Sequence, residues 1–347
     1  MKPIHFWTSH PCKNPRQWIS WFALDESAFE MVYDPVSPTY LFGSEHIYLS
    51  RHQFRKFLSL LEPGRVSVYF SFEAVEPDLN LFDYAVVHDC RAEIMDRLGR
   101  CPVSVFNNFD SVYSDLLHGC YDPELALKTK SRFCSFLYSN AKAHQRRDWL
   151  FRTLSDYKRV DSLGPHLNNC NMKTSRSEKN WRQLAIEIKR PYKFDIAAEN
   201  ARYSGYTTEK IMSSFAANAI PIYWGNPDIA EEFNPDSFVN ANGMTSEELI
   251  DKVRTIDGDD GLWCKMAAAP PMTERQIAKA CEDYDSFRRW ARHIFDIPAE
   301  NATRRPEGTW ASVYRTSFQN PLVRFFHNHN WTAMPAKIRT ILSRHSK

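Results

Sequence analysis

The sequence predicts an α/β fold made of two Rossmann-like halves, each a parallel sheet covered by helices. Three observations predict it. The 347 residues are too many for one comfortable core and suit two domains. Strand-like and helix-like segments alternate along the chain. The stretch from Tyr192 to Trp224 runs strand, helix, strand without interruption. Such a βαβ unit requires a parallel pairing.

The elements follow in order. Lys2 to Thr8 reads as a first strand, and His52 to Leu61 as a helix with Phe54, Phe57, Leu58 and Leu61 at helical spacing. Gly64 breaks that pattern. Val66 to Glu73 alternates strictly, with Val66, Val68, Phe70 and Phe72 on one face. Tyr84 to His88 is a short buried strand. A second series begins near residue 126: Arg132 to Ser139 as strand, Gln145 to Leu154 as helix, Lys158 to Asp161 as strand before a turn at Ser162-Leu163-Gly164-Pro165. Tyr192 to Ala198 is a strand, Thr208 to Ala217 a helix, and Ala219 to Trp224 a strand with Pro221 near its start, where proline is tolerated. The boundary between halves is expected near residue 125. Ligands of such sheets bind beyond the carboxyl ends of the strands, and the cleft between two halves is the natural active site.

Composition excludes several classes. The net charge of +2 is far from that of a general nucleic-acid binder. No 18-residue apolar window and no signal-peptide pattern are seen, which leads to the expectation of a soluble, cytoplasmic chain. The eight scattered cysteines form no CxxC pair and read as reduced thiols. Asp257 to Gly261 looks like an acidic metal loop but fails the calcium spacing, with Ala268 where a glutamate is needed. It reads as a solvated turn, and no metal site is expected.

The chemistry concentrates between Tyr192 and Met244. The strand ending at Ala198 runs into Glu199-Asn200, and a loop with Gly205 follows. Thr207 or Thr208 can then cap a helix whose N-terminus offers N–H groups and a positive dipole end to an anion. Lys210 falls in the first turn, where a cation opposes the dipole. A bound pyrophosphate would explain it; so would a side chain pointing into water. No Walker or GxGxxG loop accompanies it.

This segment resembles the signature of the α-1,3/4-fucosyltransferases. The blocks are Tyr192-Lys193-Phe194 with Glu199-Asn200, Gly205-Tyr206-Thr207-Thr208-Glu209-Lys210-Ile211, Ile220 to Gly225, and Phe233-Asn234-Pro235-Asp236-Ser237-Phe238-Val239-Asn240. Asn80 to Ala85 and the Val160-Asp161-Ser162 turn add to it. The resemblance covers roughly residues 65–250. Asp195 and Ala198 depart from the family's usual Asn and Phe, and Ala198 is expected to loosen packing under the nucleotide.

The resemblance implies a GT-B type fold. Residues 1–125 would be the acceptor-binding Rossmann-like domain and 126–300 the GDP-fucose-binding one. Residues 301–347 would form a helical segment with a basic amphipathic tail. It further implies an inverting enzyme that needs no cofactor, with divalent metal at most stimulatory. L-Fucose would pass from GDP-fucose to the N-acetylglucosamine of a LacNAc-type glycan, as in Lewis-antigen synthesis on lipopolysaccharide. A metal-free enzyme must neutralise the leaving diphosphate with protein cations. Lys210 and Arg147 match that role, with adjacent Arg146 as alternative to Arg147. Glu209 would lie near the fucose and its developing positive charge. Tyr206, Asn200, Thr208 and Glu199 would line the nucleotide pocket. Glu73, seven residues before Asn80, matches the general base, with Glu76 as fallback.

Three alternatives stand beside this reading: an α-1,4 or dual-specificity enzyme, a same-fold transferase with another nucleotide sugar, and an inactive glycan-binding module. The tail Met334 to Ser346 puts Ile338, Ile341 and Leu342 on one side with Lys337, Arg339 and Arg344 on others. That suits either a peripheral contact with the inner membrane face or packing on the protein's own surface.

Overall fold

The computed structural model describes residues 1–88, 97–100, 123–172, 181–302 and 305–317. Among them the chain divides into two compact units. The first holds residues 1–87, 97–99 and 288 onward; the second holds residue 88 and residues 100–287.

The first unit is built on β1 (Lys2–Thr8), β2 (Phe29–Tyr33), β3 (Tyr40–Gly43), β4 (Val66–Tyr69), β5 (Tyr84–Val87) and β6 (Leu98–Arg100), in the order β2-β1-β3-β4-β5-β6. From β2 through β5 every pairing is parallel. The strand expected over Val66 to Glu73 ends at Tyr69. All four residues of β4 are buried, because a parallel sheet is covered on both faces. Glu73 therefore lies in the loop beyond the strand, exposed, not at its end. Helix α1 (Pro15–Trp21) starts with proline at its first position and buries Trp18 against Phe6 and Phe42. Helix α2 (Arg51–Leu60) is capped by Ser50 and buries Phe54, Phe57 and Leu60, so Leu60 takes the core place expected of Leu61.

The second unit is built on β7 (Arg132–Phe136), β8 (Val160–Ser162), β9 (Tyr192–Ala198), β10 (Ile220–Trp224) and β11 (Val239–Asn240), in the order β11-β10-β9-β7-β8, all parallel. Its helices include α3 (Arg146–Tyr157), α4 (Trp181–Lys189), α5 (Glu209–Ala216), α6 (Ser246–Asp257) and α7 (Asp260–Ala268). The expected β9-α5-β10 unit is present, with Phe194 paired to Ile220. The acidic stretch at 257–261 is exposed from Gly258 to Gly261, where the chain turns from α6 into α7, and only its first residue is drawn inward. Asp257 ends α6 with its side chain buried, accepting from Lys158 Nζ at 2.9 Å and the Tyr157 hydroxyl at 3.0 Å, and Asp259 caps α7 through the Leu262 N–H.

The long helix α8 (Glu274–Asp296) begins in the second unit and ends in the first. There the Lys2 ammonium donates to the Phe295 carbonyl at 2.6 Å, and the Phe295 ring meets Phe22 and Tyr40. Further on, Arg305 forms a buried ion pair with Asp83 at 2.8 Å. The described residues from 288 to 302 and from 305 to 317 thus belong to the N-terminal unit. The tail from residue 318 and His327 and His329 lie outside the described residues, as do Cys90, Cys101 and Cys120; the described cysteines are all free thiols. Among the described residues no helix is long and apolar enough to cross a membrane.

Candidate active site of the second unit

The site grows from the carboxyl end of β9. The residue after the strand is Glu199, fully buried, its N–H held by the Trp224 carbonyl at the end of β10. Gly225 makes room for it: a Cβ on that residue would lie 2.4 Å from Glu199 Cγ. The Glu199 carboxylate takes three donors: the Thr208 N–H at 2.8 Å, the Thr208 hydroxyl at 2.7 Å and Lys210 Nζ at 2.9 Å. Thr208 stands at the N-cap position of α5, but its hydroxyl does not cap the helix, because Glu199 holds it. Burial raises the Glu199 carboxyl above its usual range, against the pull of Lys210. For Lys210, burial pulls the ammonium down while Glu199 and Glu209 pull it up, and the balance leaves it raised. The cation in the first turn is therefore a paired one, not a side chain in water. Glu209 opens the helix, where a carboxylate suits the dipole, 3.9 Å from Lys210 Nζ and 22% exposed.

Arg147 enters from α3. It is 1% exposed. Its guanidinium lies over the Tyr138 ring at 4.1 Å and donates to Asn200 Oδ1 at 2.6 Å and to the Asn140 carbonyl at 3.2 Å. Its Nε–H has no hydrogen-bond acceptor among the described residues. Arg146 turns elsewhere, stacking on Trp149 and donating to the Met244 carbonyl. The two candidates for the phosphate-binding arginine are thus separated by geometry, and Arg147 is the one joined to Asn200.

A cavity of about 320 Å³ opens beside this cluster. Its walls come from Tyr138 after β7, Pro165 after β8, Trp181 and Lys189 of α4, and Glu209 and Lys210. It lies at the carboxyl edge of the parallel sheet, where α/β folds bind ligands. Under it sits a buried ion pair, Lys189 with Asp195 at 2.8 Å, to which Ser135 and Ser214 each donate at 2.6 Å. Asp195 is the residue that departs from the family's Asn, and Lys189 is what balances its charge. Ala198, the other departure, is buried, and its N–H donates to the Tyr138 hydroxyl at 2.6 Å.

The structure brings Arg147, Glu199, Asn200, Thr208, Glu209 and Lys210 together. Tyr206 is buried, edge-on to His88 at 5.1 Å. Glu73 and Glu76 belong to the first unit. Sequence reasoning missed Tyr138, the aromatic platform under Arg147. The strand read from the sequence runs on to Ser139 and so puts Tyr138 inside it, whereas β7 ends at Phe136. Sequence reasoning also missed Lys189, whose partner lies on another element.

Two parallel sheets of this kind, the second with its ligand edge furnished as above, define a glycosyltransferase fold of the GT-B type. Solved α1,3-fucosyltransferases share it. One with GDP-fucose has TM-score 0.61 and 21% identity over 83% of this chain and 91% of that one. One with GDP has TM-score 0.62 and 19% identity over 86% and 93%. At such identity the likeness speaks for the fold. Residues 127–267 match the model of glycosyltransferase family 10 (fucosyltransferase), C-terminal part. Curated relatives include the α-(1,3)-fucosyltransferase FucT of Helicobacter pylori, 28% identical over 249 residues, 63% of this chain and 49% of that protein. The GDP-fucose protein O-fucosyltransferase 3 of Rattus norvegicus is 31% identical over 134 residues, 37% of this chain and 27% of that protein. The chain spans about a quarter to a half of the length of the curated relatives it matches.

Proposed function

We propose that this chain is an inverting α-1,3-fucosyltransferase that moves L-fucose from GDP-fucose to the N-acetylglucosamine of a LacNAc-type glycan. The observation that carries the reading is the pair of cations behind the carboxyl edge of the second sheet: the buried Arg147, stacked on the cavity-lining Tyr138, and the partly buried Lys210 in the cavity wall itself. In this reading both cations stabilise the diphosphate as GDP leaves, a task that a metal performs in other transferases. Arg147 offers a planar fork to phosphate oxygens. Glu209, partly exposed in the cavity wall, stabilises positive charge on the fucose ring. Glu73, exposed in its loop, takes the acceptor proton. The matched relatives share fucosyl transfer and differ in acceptor, so the donor is the better supported half of the reading. The acceptor would be a lipid-linked glycan of the Lewis type at the inner membrane face, with residues 334–346 as the membrane contact.

The test is donor competition. GDP-fucose is incubated with the enzyme and an excess of GDP-mannose, UDP-galactose or UDP, and release of GDP is followed with and without N-acetyllactosamine. The reading expects acceptor-stimulated GDP release from GDP-fucose that neither UDP-galactose nor UDP inhibits and that GDP-mannose, which shares the GDP moiety, does. Preferential turnover of a UDP-sugar would replace it with a same-fold transferase of other donor specificity.

A further inference from the structure

The first unit has a cluster of its own that the donor chemistry does not use. Its strand order reverses between β1 and β3: from β1 the chain moves outward to β2, and from β3 it proceeds through β4 to β6. A parallel sheet opens a crevice at such a switch point, beyond the carboxyl ends of the two strands. The residues there are Ser9 and His10 after β1 and Ser44, Glu45 and His46 after β3, joined by Ser71 and Phe72 after β4.

They form one connected group. Ser9 and Ser44 hydroxyls lie 3.2 Å apart, and the Ser44 N–H donates to Ser9 Oγ at 2.9 Å. His46 Nδ1 meets Ser44 Oγ at 3.1 Å and Glu45 Oε1 at 3.2 Å, which leaves Nε2 as the ring nitrogen for another partner. The Ser71 hydroxyl donates to Glu45 Oε2 at 2.7 Å and accepts the Glu73 N–H at 3.0 Å. The loop that carries Glu73 is thereby tied to Glu45. The carboxylate is 17% exposed and the His46 ring 34%. His10 completes the wall, edge-on to Trp21 at 5.2 Å and to His46 at 5.6 Å, with Phe72 at 5.9 Å. Burial, and then the neighbouring His46, lower the His10 pKa to about 4, so that ring is neutral.

We propose that Glu45 and His46 determine acceptor specificity by holding hydroxyls of the acceptor saccharide at the β1/β3 switch point. The proposal rests on the fucosyltransferase reading. The chemistry selects a sugar and not a nucleotide. A carboxylate repels a diphosphate and accepts hydrogen bonds from a pair of hydroxyls, and aromatic rims such as Phe72 and His10 suit the apolar face of a pyranose. The link through Ser71 sets the Glu73 loop by the same residue that grips the acceptor.

The experiment compares wild type with Glu45→Gln and His46→Ala. Glutamine keeps an oxygen for Ser71, and His46 lies outside the core, so both variants are expected to fold. Steady-state kinetics give KM for N-acetyllactosamine and for GDP-fucose separately. Saturation-transfer NMR reads disaccharide binding without any donor. The proposal expects an acceptor KM raised about tenfold or more in each variant, a donor KM within about twofold of wild type, and weakened saturation transfer. An acceptor KM within about twofold of wild type in both variants overturns it, as does a donor KM that rises in step. Disaccharide binding by wild type that both variants lose, in a protein that transfers no fucose, keeps this site and sinks the fucosyltransferase reading.

Discussion

Replacing Lys210 with methionine removes the ammonium from a carboxylate that has no access to solvent. Glu199 keeps two neutral donors, both from Thr208, and loses the one ion-pair partner it has among the described residues, at 2.9 Å. Breaking a buried pair costs about 3–5 kcal/mol, and the two remaining hydrogen bonds place this case near 3. For a domain of 150–250 residues about 3 kcal/mol lowers Tm by roughly 6–12 °C. The deficit has a pH signature. Burial already holds the Glu199 carboxyl above its unfolded value, and without Lys210 it rises further. A folded-state carboxyl pKa above the unfolded one makes stability fall as pH rises through the interval between the two. The variant's deficit is therefore small in acid, where Glu199 is protonated, and full above that interval. Wild type carries the opposite cationic contribution: the raised Lys210 stabilises below the ordinary lysine value of 10.5 and loses that contribution as pH rises through its folded pKa. Differential scanning fluorimetry from pH 4 upward measures both. Glu199→Gln combined with Lys210→Met should lose clearly less than the two single losses summed, with a coupling of about 2 kcal/mol. Additive losses, or a Lys210→Met deficit that grows in acid, would refute the reasoning.

Four further outcomes are expected. Arg147→Lys keeps the charge and loses the fork and the stack on Tyr138, so GDP-fucose should bind about tenfold or more weaker by titration calorimetry; unchanged affinity removes Arg147 from the donor site. Gly225→Ala forces a Cβ to within 2.4 Å of Glu199 Cγ, so it should cost about 1–3 kcal/mol of stability in urea melts; a wild-type midpoint contradicts the close packing drawn here. Turnover should survive EDTA, and a complete loss that added metal restores would show a metal in the mechanism. Truncation after Asn330 leaves the Asp83–Arg305 pair in place, so the shortened enzyme should keep turnover on soluble disaccharides and stop co-sedimenting with anionic vesicles. Full-length protein that never binds such vesicles ends the membrane proposal.

Local patterns in the sequence carried much of this. β1 and β9 have the limits that their apolar runs mark, and the first turn of α5 falls where Thr208 to Lys210 place it. Patterning misled at Val66 to Glu73, because alternating residues look half-buried while a strand inside a parallel sheet is covered on both sides. Non-local pairings left no trace at all. Asp83 and Arg305 are 222 positions apart, and Lys189 and Asp195, though close in sequence, sit on different elements. The same holds for the site. Lys210 was legible as a cation out of place, whereas Glu199 as its partner, and Tyr138 beneath Arg147, follow only from the packing of β9 against β7 and β10.

Fucosyl transfer to N-acetylglucosamine is tested most directly by its product. GDP-fucose is incubated with this chain and a panel of type 1 and type 2 disaccharides, and the products are read by two-dimensional NMR. A new fucose anomeric proton correlated to C3 of N-acetylglucosamine is expected in the type 2 product. A correlation to C4 in a type 1 product would make the enzyme α-1,4-specific. Disaccharide binding with no fucosylated product from any acceptor would overturn fucosyl transfer and leave a glycan-binding module in its place.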